Sequence, residues 1–301
     1  MIKVTVPATT ANMGPGFDCL GMALSLYNII EVKEIEKGLC VEVEGIDKEV
    51  IEVDERNLVY ICMKKVFEKV GYNPKGLSIK QYNNIPVSRG LGSSAACIVG
   101  GLLAANMLCG EPLTKDDLLE LAVEIEGHPD NVAPAMFGGF IVSNNYVGKR
   151  TSFIKTEVNT ALQALVAIPK IELSTKASRA VLPEYVSFKE AKFNIGNTAL
   201  LVAAMMSGQY DKIEGVFEDK IHQPYRLKLM EDLEKVFIKS KKIGFKHMFL
   251  SGAGPTIINL SWQSEKEKIE QLKESLKDMT EVWELSTLNV DNIGARVEYL
   301  K

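Results

Sequence analysis

From Gly90 to Gly110 the chain runs GLGSSAACIVGGLLAANMLCG, 21 residues without one charged side chain. Such a run must leave water, either into a bilayer or into the middle of a folded domain. Its glycines, Ser93, Ser94, Asn106 and an apolar content that is largely alanine make a poor lipid-facing surface. The expectation is a buried central helix, entered through PVSRGLGSSAA at 86–96. Two readings of that entrance compete: small residues that let a helix approach its neighbours, or a loop whose bare backbone wraps a phosphate. At a strand-to-helix junction, Gly90 and Gly92 permit positive φ and close approach, and the free N–H groups of the first helical turn suit an anion. Ser93 and Ser94 add hydroxyls that can cap the helix, bind phosphate or contact a metal. The string alone leaves both readings open.

The flanking sequence supplies that junction. IKVTV at 2–6 alternates as a strand, and SLYNIIEVKEI and LCVEVEG read as two more, joined at Lys37-Gly38. DERNLVYICMKKVFEKVG reads as a helix ending at Gly71, and LSIKQYNNIP as the strand that leads into the glycine loop. Beyond Cys109, Thr114 and Asp117 form a capping pair for a helix that stops at Gly127, after which FGGFIVSNN returns as a strand. Past about residue 155 the chain becomes more helical. ALQALVAIP is a strand, FNIGNTALLVAAMMSG a helix and PYRLKLMEDLEKVFIKSKKIG a longer one. HMFLSGAGPTIINL follows, then a helix capped by Ser264 and Glu267 that keeps Ile269, Leu272, Leu276 and Met279 on one face, and strands around VWELSTLNV and ARVEYL. There is no repeat and no low-complexity tract.

With 301 residues, two domains of about 150 residues each are expected. A net charge of -4 gives no general attraction to nucleic acid or anionic membrane, so the partner is expected to be a small molecule. The five cysteines are scattered without CxxC or zinc spacing and read as reduced thiols of a cytoplasmic protein. MIKVTVPATT does not have the pattern of a signal peptide.

A Walker A loop does not account for the glycines: the nearest approach, Gly71 to Gly76, is followed by Leu77 where lysine is required. No protein-kinase HRD or DFG set is present. PATTANMGPGFDCLG at 7–21 and SGAGPT at 251–256 are two further stretches where backbone would meet a ligand. Three such loops in this order, with GHPDNVAPAMFGGF, STKASRAVLP and HQPYR, resemble the GHMP small-molecule kinases over nearly the whole chain, and among them the homoserine kinase branch. The resemblance implies an α+β fold with an N-terminal α/β domain of the ribosomal protein S5 domain 2 type, here 1–155, and a C-terminal ferredoxin-like domain, 156–301. It also implies ATP and Mg²⁺, L-homoserine as the small-molecule substrate phosphorylated on its side-chain hydroxyl on the way to threonine, and a homodimer.

Residue by residue, the resemblance gives the nucleotide to Pro86, Val87, Ser88, Arg89, Gly90, Leu91, Gly92, Ser93, Ser94, Ala95 and Ala96, with Asn57 near the adenine. Glu126 falls on the buried side of its helix, between the directions of Leu119 and Ala122. An acid there must be paired, bound to metal or exposed by fraying at the helix end, and the resemblance assigns it to Mg²⁺ together with Ser94. The planar fork of arginine suits a carboxylate, and that role carries over to Arg179 and Arg226, while Asn12, Asp18 and His128 would hold the amino group and the polar remainder. In the mevalonate kinase branch a lysine of the first motif pairs with an aspartate base; Thr9 stands about where that lysine would be. The nearest candidates to the attacking oxygen are Asn131, to orient it, and Asp130, to deprotonate it. Another GHMP kinase, of an isoprenoid alcohol or a sugar, and a GHMP-like binding protein without catalysis are the rival readings.

Overall fold

The fold is described from a computed structural model over residues 1–146, 148–262 and 265–300. Its first sheet grows around two long strands, β1 (Ile2–Ala11) and β2 (Leu20–Glu34), antiparallel and broken in register only between Pro7 and Ala8. β3 (Gly38–Gly45) follows β2 closely enough for a hairpin, yet the two do not pair. The chain instead crosses over through α1 (Leu58–Val70) and inserts β4 (Gly76–Asn83) between them, parallel to β3 and antiparallel to β2. Burial accounts for this: β4 is buried along most of its length and suits the interior, whereas β3 alternates between exposed and half-buried and suits an edge.

The uncharged run becomes α2 (Ser93–Leu108), with buried residues around most of its circumference. It packs on α1 so closely that a Cβ at Gly101 would lie 2.6 Å from the Val59 carbonyl oxygen. The small residues of this run therefore serve packing in its middle as well as the loop at its start. α3 (Lys115–Glu126) carries the expected Thr114–Asp117 capping box and ends at Gly127 in the left-handed region. A short helix that the sequence did not announce, α4 (Pro129–Phe137), comes next, then β5 (Phe140–Asn144) against β2 and β6 (Ser152–Thr156) against β5.

The second sheet contains β7 (Gln163–Pro169), β8 (Met248–Leu250), β9 (Ile257–Ser261) and β10 (Trp283–Asn289), in the order β10-β7-β9-β8. All its pairings are antiparallel. With helices after its first and third strands this is the ferredoxin-like arrangement. Between β7 and β8 lie α5 (Thr175–Ala180), α6 (Phe188–Ser207), α7 (Gln223–Arg226) and α8 (Glu231–Ile243). The single long helix expected over PYRLKLMEDLEKVFIKSKKIG is thus two. Met230 is extended, at φ -137° and ψ 127°, and separates a short turn from α8. α9 (Lys266–Leu276) packs Leu272 and Leu276 under the second sheet with Leu233 and Val236 of α8. Ser264, its expected cap, lies outside the described residues.

β11 (Arg296–Tyr299) then leaves the second sheet and pairs with β1, from Ile2↔Tyr299 to Thr5↔Arg296. The expected division at 155/156 falls inside β6, one residue short of that strand's end, and this last strand returns to the first sheet. One hydrophobic core runs through both sheets, from Val4, Met22 and Leu102 to Val166, Phe249 and Ile258. Among the described residues no helix is long and apolar enough to cross a membrane.

Candidate functional site

The three glycine-rich loops meet and are joined by hydrogen bonds to main-chain carbonyls. Thr9 N–H donates to the Leu91 carbonyl at 3.0 Å, Gly252 N–H to the Ala11 carbonyl at 3.0 Å, and Ser251 Oγ to the Gly90 carbonyl at 2.6 Å. Gly92 stands before α2 at φ +72°, where a Cβ would lie 2.0 Å from Thr9 Oγ1. That approach leaves room for no other residue. A cleft of about 320 Å³ opens in front, walled by Pro86 to Gly90, Gly92, Ser93 and Ser94 on one side and by Asn12, Asp18, His128, Arg179 and Arg226 on the other.

At the loop end the wall is mostly backbone. α2 points its first turn, and so its unbonded N–H groups and positive dipole end, at the cleft. Arg89 reaches the cleft wall, but its guanidinium donates to Asp47 Oδ2 and the Val87 carbonyl, both at 2.7 Å, which pins the loop in place. Leu91, Ala95 and Ala96 are buried behind the loop and do not line the cleft. Asn57, expected near the adenine, has its amide engaged elsewhere. Its amide oxygen accepts from the N–H groups of Val59 and Tyr60 and from Gln81 Nε2, and its Nδ2 donates to the Glu52 carbonyl. The side chain is consumed in capping α1 and does not reach the cleft; its neighbours Val50, Ile51, Glu52, Arg56 and Leu58 do. Apolar Val50 and Ile51 in a charged stretch were the sequence signal for that wall.

Ser94 and Glu126 come together across the cleft floor, Ser94 Oγ donating to Glu126 Oε2 at 3.0 Å. Glu126 is half-buried and has no cationic partner among the described residues. Burial pushes its carboxyl above the ordinary range, against the opposing pull of His128 and of the Ser94 hydrogen bond. A hard divalent cation accepts this hydroxyl and carboxylate donor set.

The other end is built from ionised side chains. Arg179 forks onto Asp18, with Nη1 at 3.0 Å from Oδ2 and Nη2 at 2.7 Å from Oδ1. Asn12, at φ +66°, ties this pair to the late loop: its Oδ1 accepts from the Asp18 N–H and its Nδ2 donates to the Gly252 carbonyl. Arg226 is only 1% exposed. Its Nε donates to the Ser178 carbonyl at 3.2 Å and its Nη1 to the Gly252 carbonyl at 2.9 Å. Burial first, and the charge of Arg179 second, bring its pKa down to about 10. Among the described residues it has no carboxylate within ion-pair distance, and Nη2 has no hydrogen-bond partner. Phe17 lies beneath both guanidinium groups, 5.4 Å from Arg179 and 5.2 Å from Arg226.

Between the two ends, α4 presents Asp130 and Asn131. Asp130 is buried and paired with His128 Nδ1. Burial alone would lower the His128 pKa, but that hydrogen bond and the charges of Asp130, Glu126 and Asp18 raise it. Asn131 Oδ1 accepts from Thr9 Oγ1 at 2.8 Å, which leaves its Nδ2 group for the cleft. Sequence reasoning missed Phe17, Thr9 as a partner of Asn131, and the part played by the Gly252–Gly254 backbone in the wall.

The chain is similar to known proteins along its whole length. Residues 57–139 match the family described as GHMP kinases N terminal domain. The chain is 47% identical to a homoserine kinase of Caldicellulosiruptor bescii over 299 residues, 99% of this chain and 97% of that one. It is 45% identical to a homoserine kinase of Clostridium botulinum over 303 residues, covering all of both chains. A crystal structure of homoserine kinase from Cytophaga hutchinsonii superposes with a TM-score of 0.87 at 31% identity, covering 99% of this chain and 97% of that one.

Proposed function

We propose that this chain, which belongs to the homoserine kinase family of the GHMP kinases, transfers the γ-phosphoryl group of ATP to the side-chain hydroxyl of L-homoserine, yielding O-phospho-L-homoserine for threonine biosynthesis. The observation that carries the choice of substrate is Arg226. A buried guanidinium without a counter-ion is costly, and a ligand carboxylate meeting the free Nη2 group offsets that cost. Mevalonate also carries a carboxylate but has no ammonium for Asp18 to hold, and galactose has neither group.

The glycine loop and the first turn of α2 receive the phosphates, with the base lying toward Val50, Ile51 and Leu58. Ser94 and Glu126 would hold Mg²⁺, which when bound neutralises charge on the phosphates. A homoserine zwitterion offers Asp18 an ammonium and Arg179 a carboxylate, so it replaces their mutual ion pair with one to each. Arg226 Nη2 takes the same carboxylate. Asn131, held by Thr9, donates from Nδ2 and orients the hydroxyl oxygen. Asp130 is engaged by His128 and acts through that ring, which also faces the substrate. Phosphoryl transfer through a loose transition state needs this positioning more than it needs a strong base. The reaction belongs to the cytoplasm, where ATP is supplied and the five cysteines stay free.

The test is ATP turnover with L-homoserine, mevalonate and galactose as competing acceptors. Turnover is expected with homoserine alone. Preference for either other alcohol overturns the assignment, and absence of turnover with all three returns the chain to a binding protein.

A further inference from the structure

We infer that His222, which lies behind the cleft and does not line it, is a positioning residue that fixes the Arg226 guanidinium through a neutral ring protonated on Nε2. This rests on the reading of Arg226 as the group that meets the substrate carboxylate.

The ring is completely buried, and its backbone is fixed from both sides. Asp219 Oδ2 accepts the N–H groups of His222 at 2.8 Å and of Gln223 at 2.6 Å. The Gln223 side chain in turn donates to the Phe217 carbonyl and accepts from the Leu250 N–H at the start of the late loop. The His222 Nε2 atom lies 2.7 Å from the Gly14 carbonyl oxygen in the first glycine loop. A carbonyl only accepts, so Nε2 carries the hydrogen, and Nδ1 of the neutral ring offers a lone pair. Arg226 Nη1 stands 3.3 Å from that Nδ1.

The hydrogens of Arg226 can then be accounted for. A guanidinium has five N–H bonds. The Ser178 carbonyl takes the one on Nε, and the Gly252 carbonyl and His222 Nδ1 take the two on Nη1. The remaining two belong to Nη2, the edge left for a carboxylate. His222 is thus the one side chain among three acceptors that aim this edge, and it ties the aim to the first loop through Gly14 and to the late loop through Gln223. A protonated ring would lose the acceptor and set a second cation against the guanidinium. Burial, followed by the charge of Arg226, lowers the His222 pKa despite Asp219 Oδ2 at 3.7 Å from Nε2. Phe17 covers the ring with centroids 5.2 Å apart, so its face is also shielded from water.

Two amide substitutions separate the ring's two bonds, because Asn places its oxygen near the Nδ1 position and Gln places its nitrogen near the Nε2 position. His222→Gln keeps the bond to Gly14 and loses the acceptor for Arg226, so the KM for homoserine should rise about tenfold or more, with the KM for ATP unchanged. His222→Asn keeps the acceptor and should stay within about threefold of the parent KM. Both KM values are independent of the fraction of folded enzyme. Equal effects of the two variants, or a rise in the KM for ATP with His222→Gln, overturn the inference. If Arg226→Lys raises the homoserine KM and His222→Gln does not, only the positioning role falls; if Arg226→Lys changes nothing, the reading of Arg226 falls with it. Long-range ¹H–¹⁵N spectra of the three histidines in the unaltered enzyme provide a check that needs no variant to fold. His222 should show the Nε2–H tautomer, and an Nδ1–H tautomer would refute the assignment.

Discussion

The two ends of the cleft are made of different material. The loop end, proposed for the nucleotide, is mostly backbone: a glycine loop and the first turn of α2, with a single serine–glutamate side-chain pair. The other end, proposed for the amino acid, is built of charged side chains from α4, α5, α7 and the first glycine-rich stretch, held as the Arg179–Asp18 and His128–Asp130 pairs and, for Arg226, by main-chain carbonyls. A backbone site is fixed when its fold is fixed and tolerates no Cβ. A side-chain network trades partners when a ligand arrives, and can fail in part. Damage at the first end should therefore be close to all-or-none, whereas damage at the second should be graded and specific to the amino acid.

The largest effect is expected at Glu126. Glu126→Gln removes one oxygen ligand without changing volume, and Mg²⁺-dependent turnover should be lost while the circular dichroism spectrum is retained; near-normal turnover at limiting Mg²⁺ would remove Glu126 from the metal site. Gly92→Val comes next. A branched side chain at φ +72° with a Cβ 2.0 Å from Thr9 Oγ1 is strained and also pushes at the partner of Asn131. ATP affinity measured by titration calorimetry should fall about a hundredfold, a loss of roughly 2.7 kcal/mol. Tight ATP binding by this variant would return the loop to a packing role.

Arg226→Lys probes the opposite end. Lysine keeps a charge but cannot serve the internal carbonyls and a carboxylate together, and kcat/KM for homoserine should fall by about 1.5–3 kcal/mol in transition-state terms. An analogue with hydrogen in place of the carboxylate should be affected little. Equal losses on both acceptors would erase the contrast between the two ends.

The smallest effect is on stability. The Glu126 carboxyl is raised in the folded protein, so its contribution is complete below the ordinary carboxylate pKa and is lost as pH rises through the raised value. Without Mg²⁺, Glu126→Gln should consequently melt higher than the parent at pH 8 and level with it at pH 4. A difference of the same size at both pH values would mean that the ionised carboxyl is not the source.

The same contrast governs what could be read from the sequence. Backbone sites leave local marks. The glycine spacing at 86–96, the stops at Gly71 and Gly127 and the Thr114–Asp117 cap each depend on a few neighbouring residues, and the structure places each of them where the string put it. Long-range choices leave no such mark. Nothing near Lys37 says that β4 will separate β2 from β3, and nothing in the amide of Asn57 says that Gln81 of β4 will join three nearby groups in consuming it. Arg179 and Arg226 were named from the family resemblance, but the Asp18 fork, the Phe17 platform and, among the described residues, the lack of a counter-ion at Arg226 exist only after folding has brought together residues some 160 to 240 positions apart.

The return of β11 to β1 has a consequence for biogenesis. Ile2 and Tyr299 are neighbours across the sheet although 297 positions separate them, so everything between them is synthesised before they can pair. At elongation rates of about 5–20 residues per second the wait is on the order of tens of seconds. Throughout that time one border of β1 carries unpaired amides and carbonyls beside a strand rich in valine and isoleucine, the kind of surface that recruits other nascent chains. The first sheet therefore closes only once β11 has been made, and a chain that lacks β11 should aggregate even though it holds every residue of the cleft.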